Sequence, residues 1–189
     1  MSGQKTGSYN DEKLMQFILS GDQQAFNELY RRYNQRLYYY FFRMLGNSSE
    51  LANDFLQDLF LKIIENPARF NPGYSFKTWI FSVAYNMCKN EYRRQEIRKG
   101  VFTETDLLLD PVLPQEISKE ELVNRIFLEL DELGPEQRTV FIMHYREGFQ
   151  INEIASVLEM APGTVKSRLF YTRKYLAEKL QHFMDQIEF

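Results

Sequence analysis

The sequence predicts an all-α protein made of two small helical domains, four helices in each, joined by an acidic linker. Three observations predict it. Apolar residues recur at three and four along nearly every long segment, and no alternating strand pattern of useful length occurs. The helical period is lost over one stretch, Gly100 to Ser118, which holds Pro111, Pro114 and several acids. The expected division is a flexible tail at 1–9, a first domain at 10–99, a linker at 100–118 and a second domain at 119–189.

From Asp22, the positions Phe26, Leu29, Tyr30, Tyr33, Leu37, Tyr40, Phe41 and Met44 predict a long amphipathic helix closed by Gly46 and Asn47. Ser48 or Ser49 can cap the next helix, which Pro67 stops after Asn66. Arg69-Phe70-Asn71-Pro72-Gly73-Tyr74 must turn, and Ser75 opens a helix reaching about Lys99. Phe76, Trp79, Ile80, Val83, Ala84 and Met87 fall on one side of it. Helical pattern resumes at Lys119 and runs to Leu133, where Gly134-Pro135 breaks the chain and starts the next helix. That helix ends at Gly148, and two more follow at about 151–159 and 162–181.

Composition excludes several classes. With 44% hydrophobic and 26% charged residues among 189, the chain is an ordinary globular one rather than disordered. No apolar run approaches the roughly 18 to 20 residues of a membrane span, and the polar start lacks a secretory core. A lone cysteine, Cys88, makes no internal disulfide, so the expected location is the cytoplasm. The net charge of −3 hides a pattern: residues 77–99 carry about +4, 101–137 about −8 and 163–181 about +4. A phosphate backbone at short range feels the local sign, although such runs also serve as solvated faces.

The sharpest motif lies at Gln150 to Arg168. Glu153-Ile154-Ala155 and Val157-Leu158 make a short helix, Glu159 to Gly163 a tight connection, and Thr164-Val165-Lys166-Ser167-Arg168 the start of another. Two helices so joined form a helix-turn-helix whose second helix enters the major groove. Val165 and Leu169 can hold that helix down, leaving Thr164, Lys166, Ser167, Arg168, Tyr171, Arg173 and Lys174 as the expected contacts to duplex DNA. A structural hairpin with a solvated basic face would share the pattern. Gln150 is a weak N-cap, so this short helix is expected to start loosely or on Asn152.

In the first domain, Leu51, Phe55, Leu59 and Ile63 form one stripe, and Leu56, Phe60, Leu61 and Ile64 carry apolarity well around the helix. A surface helix buries about 100° of its circumference, so this one is either central or keeps a face for a partner. Asp54, Gln57, Asp58 and Leu61 share the candidate partner face. On the next helix, Lys77, Trp79, Tyr85, Asn86, Lys89, Arg93 and Arg94 interleave rings and amides with cations, which suits single-stranded bases. Phe70, Asn71, Tyr74 and Ser75 in the loop before it could frame a pocket for an unstacked base. Core aromatics beside solvated cations would read the same way.

Taken in order, these segments resemble one family. Residues 133–180, beginning Leu133-Gly134-Pro135-Glu136-Gln137-Arg138 and running through Arg168-Leu169, look like the C-terminal domain of extracytoplasmic-function sigma factors of bacterial RNA polymerase. Gly21-Asp22-Gln23-Gln24-Ala25-Phe26 resembles the opening of their N-terminal domain, and Asp54 to Lys62 their polymerase-binding helix. Phe76-Lys77-Thr78-Trp79-Ile80, with Ala84, Asn86 and Arg93-Arg94, resembles their promoter-melting helix. The resemblance covers about four-fifths of the chain; no single piece decides it, but the ordered set is specific. It implies transcription initiation: duplex reading of the −35 element, opening of the −10 element, and docking on polymerase core through the clamp coiled coil and flap. It also implies an anti-sigma factor as a partner, and a linker threaded along the basic path of nascent RNA.

No catalytic constellation accompanies these motifs, and neither a cofactor nor a metal is expected: His144 and His182 stand far apart and outside any metal motif. His144 among Phe141, Ile142 and Tyr145 reads as packed, and Cys88 beside Met87 reads as core. The chief rival is a stand-alone helix-turn-helix transcriptional regulator that binds duplex DNA without polymerase.

Overall fold

The computed structural model describes residues 8–99 and 119–185; the linker and its predicted path lie outside them. Among the described residues there are eight α-helices and no strand, in two groups of four. The first group is α1 (Asp11–Leu19), α2 (Gln23–Met44), α3 (Ser49–Glu65) and α4 (Phe76–Lys99). The second is α5 (Lys119–Asp131), α6 (Pro135–Phe141, continued by a π-helical turn at Ile142–Arg146), α7 (Ile151–Leu158) and α8 (Pro162–Asp185).

Local chemistry sets the helix starts. The Asp22 carboxylate accepts from the amides of Gln24 and Ala25 at 2.8 and 3.1 Å, and Ser48 rather than Ser49 caps α3 through Leu51. α4 has two caps: Ser75 Oγ accepts from Thr78 N–H, and Glu12 reaches over from α1 to accept from Phe76 N–H at 2.9 Å. At the end of α2, Gly46 and Asn47 both take positive φ, which turns the chain sharply into α3. α7 starts on neither Gln150 alone nor Asn152. The Glu153 carboxylate accepts from the Gln150 amide at 2.7 Å, so the expectation of a loose start is corrected by the acid three residues on.

In the first group α2 is the central strut. Leu29, Tyr33, Leu37, Tyr40, Phe41 and Met44 are buried, and rings interlock across it, Tyr33 on Phe76, Phe41 on Phe55 and Tyr40 on Phe81. α1, which the three-and-four pattern did not single out, buries Leu14, Met15 and Ile18. It is tied to α2 where Asp11 accepts from Arg32 at 2.7 Å and from Tyr33. Tyr9, assigned to the tail from sequence, lays its ring edge-on to Phe17 at 5.2 Å.

The two groups pack on one another rather than standing apart. α4 lies along α7, and α2 meets α6. α4 consequently buries two stripes. Phe76, Ile80, Ala84 and Cys88 face its own group, while Phe81 meets Phe149 of the second at 5.1 Å between ring centroids. Arg36 donates to Glu147 at 2.7 Å, Asn47 to Asp131 at 3.0 Å, and Tyr40 meets Thr139 at 3.4 Å.

Candidate nucleic-acid interface

The helix-turn-helix is formed by α7, a left-handed Glu159 (φ 54°) and α8. Glu159 occupies a conformation that favours glycine, which bends the chain tightly enough to bring α8 across α7. Val165 and Leu169 are buried beneath α8, as their spacing predicted. Thr164, Lys166, Ser167, Tyr171, Arg173 and Lys174 are exposed along its outer side. Arg168 is the exception: it is half-buried and ion-paired with Glu136 at the start of α6. Ser167 spends its hydroxyl on the carbonyl of Gly163 at 3.0 Å. Phe170, four residues after Lys166 and 55% exposed, is an outward aromatic that the basic pattern did not flag. Its edge contact with Tyr171 at 5.4 Å gives the helix an apolar patch of the kind that meets thymine methyl groups.

The loop before α4 and the α4 surface are more divided. Asn71, Tyr74 and Ser75 are exposed, and with Arg69 and Trp79 they line a cavity of about 470 Å³. Its far wall is α7, through Asn152, Glu153 and Ser156. Phe70 does not join them: it is 3% exposed, wedged against Phe76 and Trp79 at 5.5 and 5.4 Å, and supports the loop from within. The expectation that its ring frames a base pocket is corrected by that burial. Asn86, Arg93 and Arg94 are exposed, with Arg94 3.8 Å from Glu91. Tyr85 is buried to 5%, beside a second cavity shared by Lys89 and Arg93 with Pro135 and Glu136. Burial, with Glu136 nearby, pushes its phenol above the ordinary tyrosine value. Lys77 is held by the second group: its ammonium donates to the carbonyl of Glu147 at 2.9 Å and sits 4.0 Å above the Phe149 ring. Burial there, with Arg36 adding like charge, lowers its pKa.

On α3, Asp54, Gln57, Asp58 and Leu61 lie together on open surface, and Ile64 beside them is 51% exposed. Between α2 and α3 runs a groove of about 420 Å³ whose floor is Phe26, Leu56 and Phe60, with Tyr30 tilted onto Phe60 at 4.7 Å. α3 thus buries Ala52, Leu56, Leu59, Phe60 and Ile63 and leaves Leu61 and Ile64 exposed.

Outside these surfaces the structure is quiet. His144 places Nδ1 3.1 Å from the Phe149 carbonyl, a structural contact, and burial pushes the Cys88 thiol pKa up. Among the described residues no helix is long and apolar enough to cross a membrane, and no group of His, Cys, Asp and Glu is arranged to hold a metal.

Comparison with known proteins matches both halves. Residues 29–97 match sigma-70 region 2, and residues 124–176 match sigma-70, region 4. The sigma factor SigW of Bacillus subtilis, an extracytoplasmic-function (ECF) RNA polymerase sigma factor, is 28% identical over 90% of this chain and 96% of its own length. CarQ of Myxococcus xanthus, an RNA polymerase sigma factor, is 28% identical over 92% and 97%. Among solved structures, CnrH bound to the cytosolic domain of CnrY superimposes with a TM-score of 0.68 at 24% identity, over 91% of this chain and 97% of CnrH. The sigma factor RpoE of Bartonella quintana, solved with the anti-sigma factor NepR, gives 0.65 at 23%, over 82% and 96%. At those identities the superpositions speak to fold.

Proposed function

The chain belongs to the extracytoplasmic-function sigma factors of bacterial RNA polymerase and acts in transcription initiation, and from that premise we propose which of its surfaces do which work. α8 reads the −35 element as duplex through Thr164, Lys166, Ser167, Arg168, Tyr171, Arg173 and Lys174. Lys166 and Arg168 suit guanine edges, and the rest suit phosphate. The loop and face of α4 open the −10 element. Asn71, Tyr74, Ser75 and Trp79 receive an unstacked base, while Lys77, Tyr85, Asn86, Lys89, Arg93 and Arg94 follow the single strand, by stacking and by charge. Asp54, Gln57, Asp58 and Leu61 on the bare face of α3 dock on the polymerase core enzyme. Work of this kind needs binding and no chemistry of the chain's own, and its place is the cytoplasm. CnrH and RpoE were solved with CnrY and the anti-sigma factor NepR, which supports an anti-sigma partner here as well.

The observation that carries this reading is that regions 2 and 4 occur in order on one chain, beside an α8 whose outer side is basic and exposed. A stand-alone regulator would account for α7 and α8 but not for the region 2 match. Run-off transcription with sigma-free core enzyme on promoter fragments tests it. Defined transcripts should require this protein and should fall about fivefold or more with Lys166→Ala, the cost of about 1–3 kcal/mol expected for a lost base contact. No transcripts, together with gel shifts of duplex by the protein alone, would instead establish the stand-alone regulator.

A further inference from the structure

The turn from Asn71 to Tyr74 closes on itself. Asn71 accepts from Gly73 N–H through its side chain at 2.9 Å and from Tyr74 N–H through its carbonyl at 3.0 Å. A turn closed in this way inherits its aim from the two points where it joins the fold. One is the short 3-10 turn Pro67–Arg69 that leads into Phe70, and the other is the start of α4 at Phe76. Both rest against α1.

Glu12, half-buried in the first turn of α1, makes the sharpest of these contacts by accepting from Phe76 N–H at 2.9 Å. The first N–H groups of a helix find no partner within it, and Ser75 takes only that of Thr78. Acids in a first turn ordinarily serve the dipole of their own helix, and Asp11 and Glu12 both stand in that of α1. Glu12 serves the positive end of α4 as well. The Phe76 ring, 0% exposed, meets Tyr33, Phe70 and Trp79 at 5.2, 5.5 and 5.7 Å, and Asp11 accepts from the Tyr33 hydroxyl. Leu14, Met15 and Ile18 are buried and fix α1 itself.

We infer that Glu12 is a positioning residue for base capture: through the Phe76 amide it sets the first turn of α4, and with it the aim of Asn71, Tyr74, Ser75 and Trp79. The inference rests on the assignment of those four residues to an unstacked base. Without Glu12, the first turn of α4 is capped by Ser75 alone and is free to fray. Groups that stack on a base or bond to it tolerate little displacement, so their support counts as much as their identity. Opening of the −10 element would then suffer, while duplex reading by α8 and docking through α3, which draw on other residues, would not.

The test uses holoenzyme assembled from core enzyme and the full chain. Its probe is a fluorescein-labelled nontemplate-strand oligonucleotide spanning the −10 element of a promoter that wild type transcribes, with each base in turn replaced by an abasic site. Wild type should lose about fivefold or more in affinity at one position, where stacking in the loop is removed. With Glu12→Ala the intact strand should bind more weakly and that loss should shrink to about twofold or less. Affinity for core enzyme should stay the same, and the melting temperature should fall by only a few degrees. Glu12→Gln keeps an acceptor oxygen at the same reach and should restore the wild-type profile. Glu12→Asp keeps the charge but withdraws the oxygen, and should not restore it. Glu50→Ala removes an exposed acid from the first turn of α3 and should leave the profile as in wild type.

A merely structural role for α1 would weaken binding at every position alike, so flattening of one position is the decisive readout. An undiminished loss at that position with Glu12→Ala overturns the proposal. Should that variant fold poorly, the other pair decides: equal profiles for Glu12→Asp and Glu12→Gln overturn it too. A wild-type profile flat at every position is a different result. It removes the base-receiving assignment itself, and the role of Glu12 falls with it.

Discussion

α3 and α4 are neighbours in the same four-helix group, and both carry more apolar surface than one stripe needs, yet they use it oppositely. α3 leaves Leu61 at 45% and Ile64 at 51% exposure over an open groove. α4 covers its extra stripe, with Phe81 at 0% and Tyr85 at 5%, under the second half. A surplus of apolar residues on a helix therefore does not say whether a partner is external or in the same chain. What separates the two is the company. Gln57 lines the α3 groove, and Asp54 and Asp58 lie exposed on the same helix. On α4, Lys77 is met by the main-chain carbonyl of Glu147, and Lys89 shares a cavity with Glu136 of the second half.

The largest effect that would break this contrast is on the covered side. Phe149→Ala removes a ring 1% exposed that touches both Phe81 and Lys77. A buried Phe truncated to Ala costs about 3–5 kcal/mol, so the melting temperature should fall sharply. Two calorimetric transitions should replace one as the halves uncouple. A single transition with an unchanged midpoint would mean that the halves are not energetically joined. The bare side should behave in reverse. Leu61→Ala and Asp58→Ala should leave stability within about 0.5 kcal/mol, since neither side chain is packed or paired. Affinity for polymerase core enzyme should nonetheless fall about tenfold, or roughly 1.4 kcal/mol, as for an interface anchor. Equal loss of stability and of core binding would show that α3 is merely structural.

The helices were readable because their signals are local. Asp22, Ser48, Ser75, Gly134-Pro135 and the buried pair Val165 and Leu169 behave as their positions in sequence predict. α1 was counted among the four helices of the first domain but not located, because nine residues, with Leu14, Met15 and Ile18 as the buried set, give too short a periodic run to stand out. The outer side of α8 was readable for the same local reason. The surface of α4 was not. Phe70 and Tyr85 are of residue types that stack on bases, but Phe70 is packed on Phe76 and Trp79 just beyond its loop, and the half that covers Tyr85 comes from elsewhere in the chain. Arg168 likewise looked free until Glu136, thirty-two residues earlier, was placed against it. Charge pairing across such distances has no sequence period, so only the packed structure reveals it.

The smallest expected effect sharpens the comparison by showing what a purely structural charge cluster does. Glu28 on α2 accepts a bidentate pair from Arg31 at 2.8 and 2.9 Å and a third bond from Arg32 at 2.7 Å, and Arg32 continues to Asp11 of α1. The hydrogen bonds from Arg31, then Arg32, hold the Glu28 carboxyl at about 2, below its ordinary 4.5. A carboxyl depressed in the folded state stabilises the fold fully above its unfolded pKa, and that contribution drains away as pH falls through the folded one. Urea midpoints of wild type should therefore decline as pH drops from about 4.5 towards 2. Glu28→Gln should be slightly less stable at neutral pH and show a shallower decline across that window. DNA binding at neutral pH should be the same for both proteins, because Glu28, Arg31 and Arg32 line neither cavity beside α4 and lie outside α8. Parallel urea profiles would mean that the cluster contributes nothing, whereas a change in DNA affinity would mean that the first-half cations act as one network rather than as separate structural and DNA-facing sets.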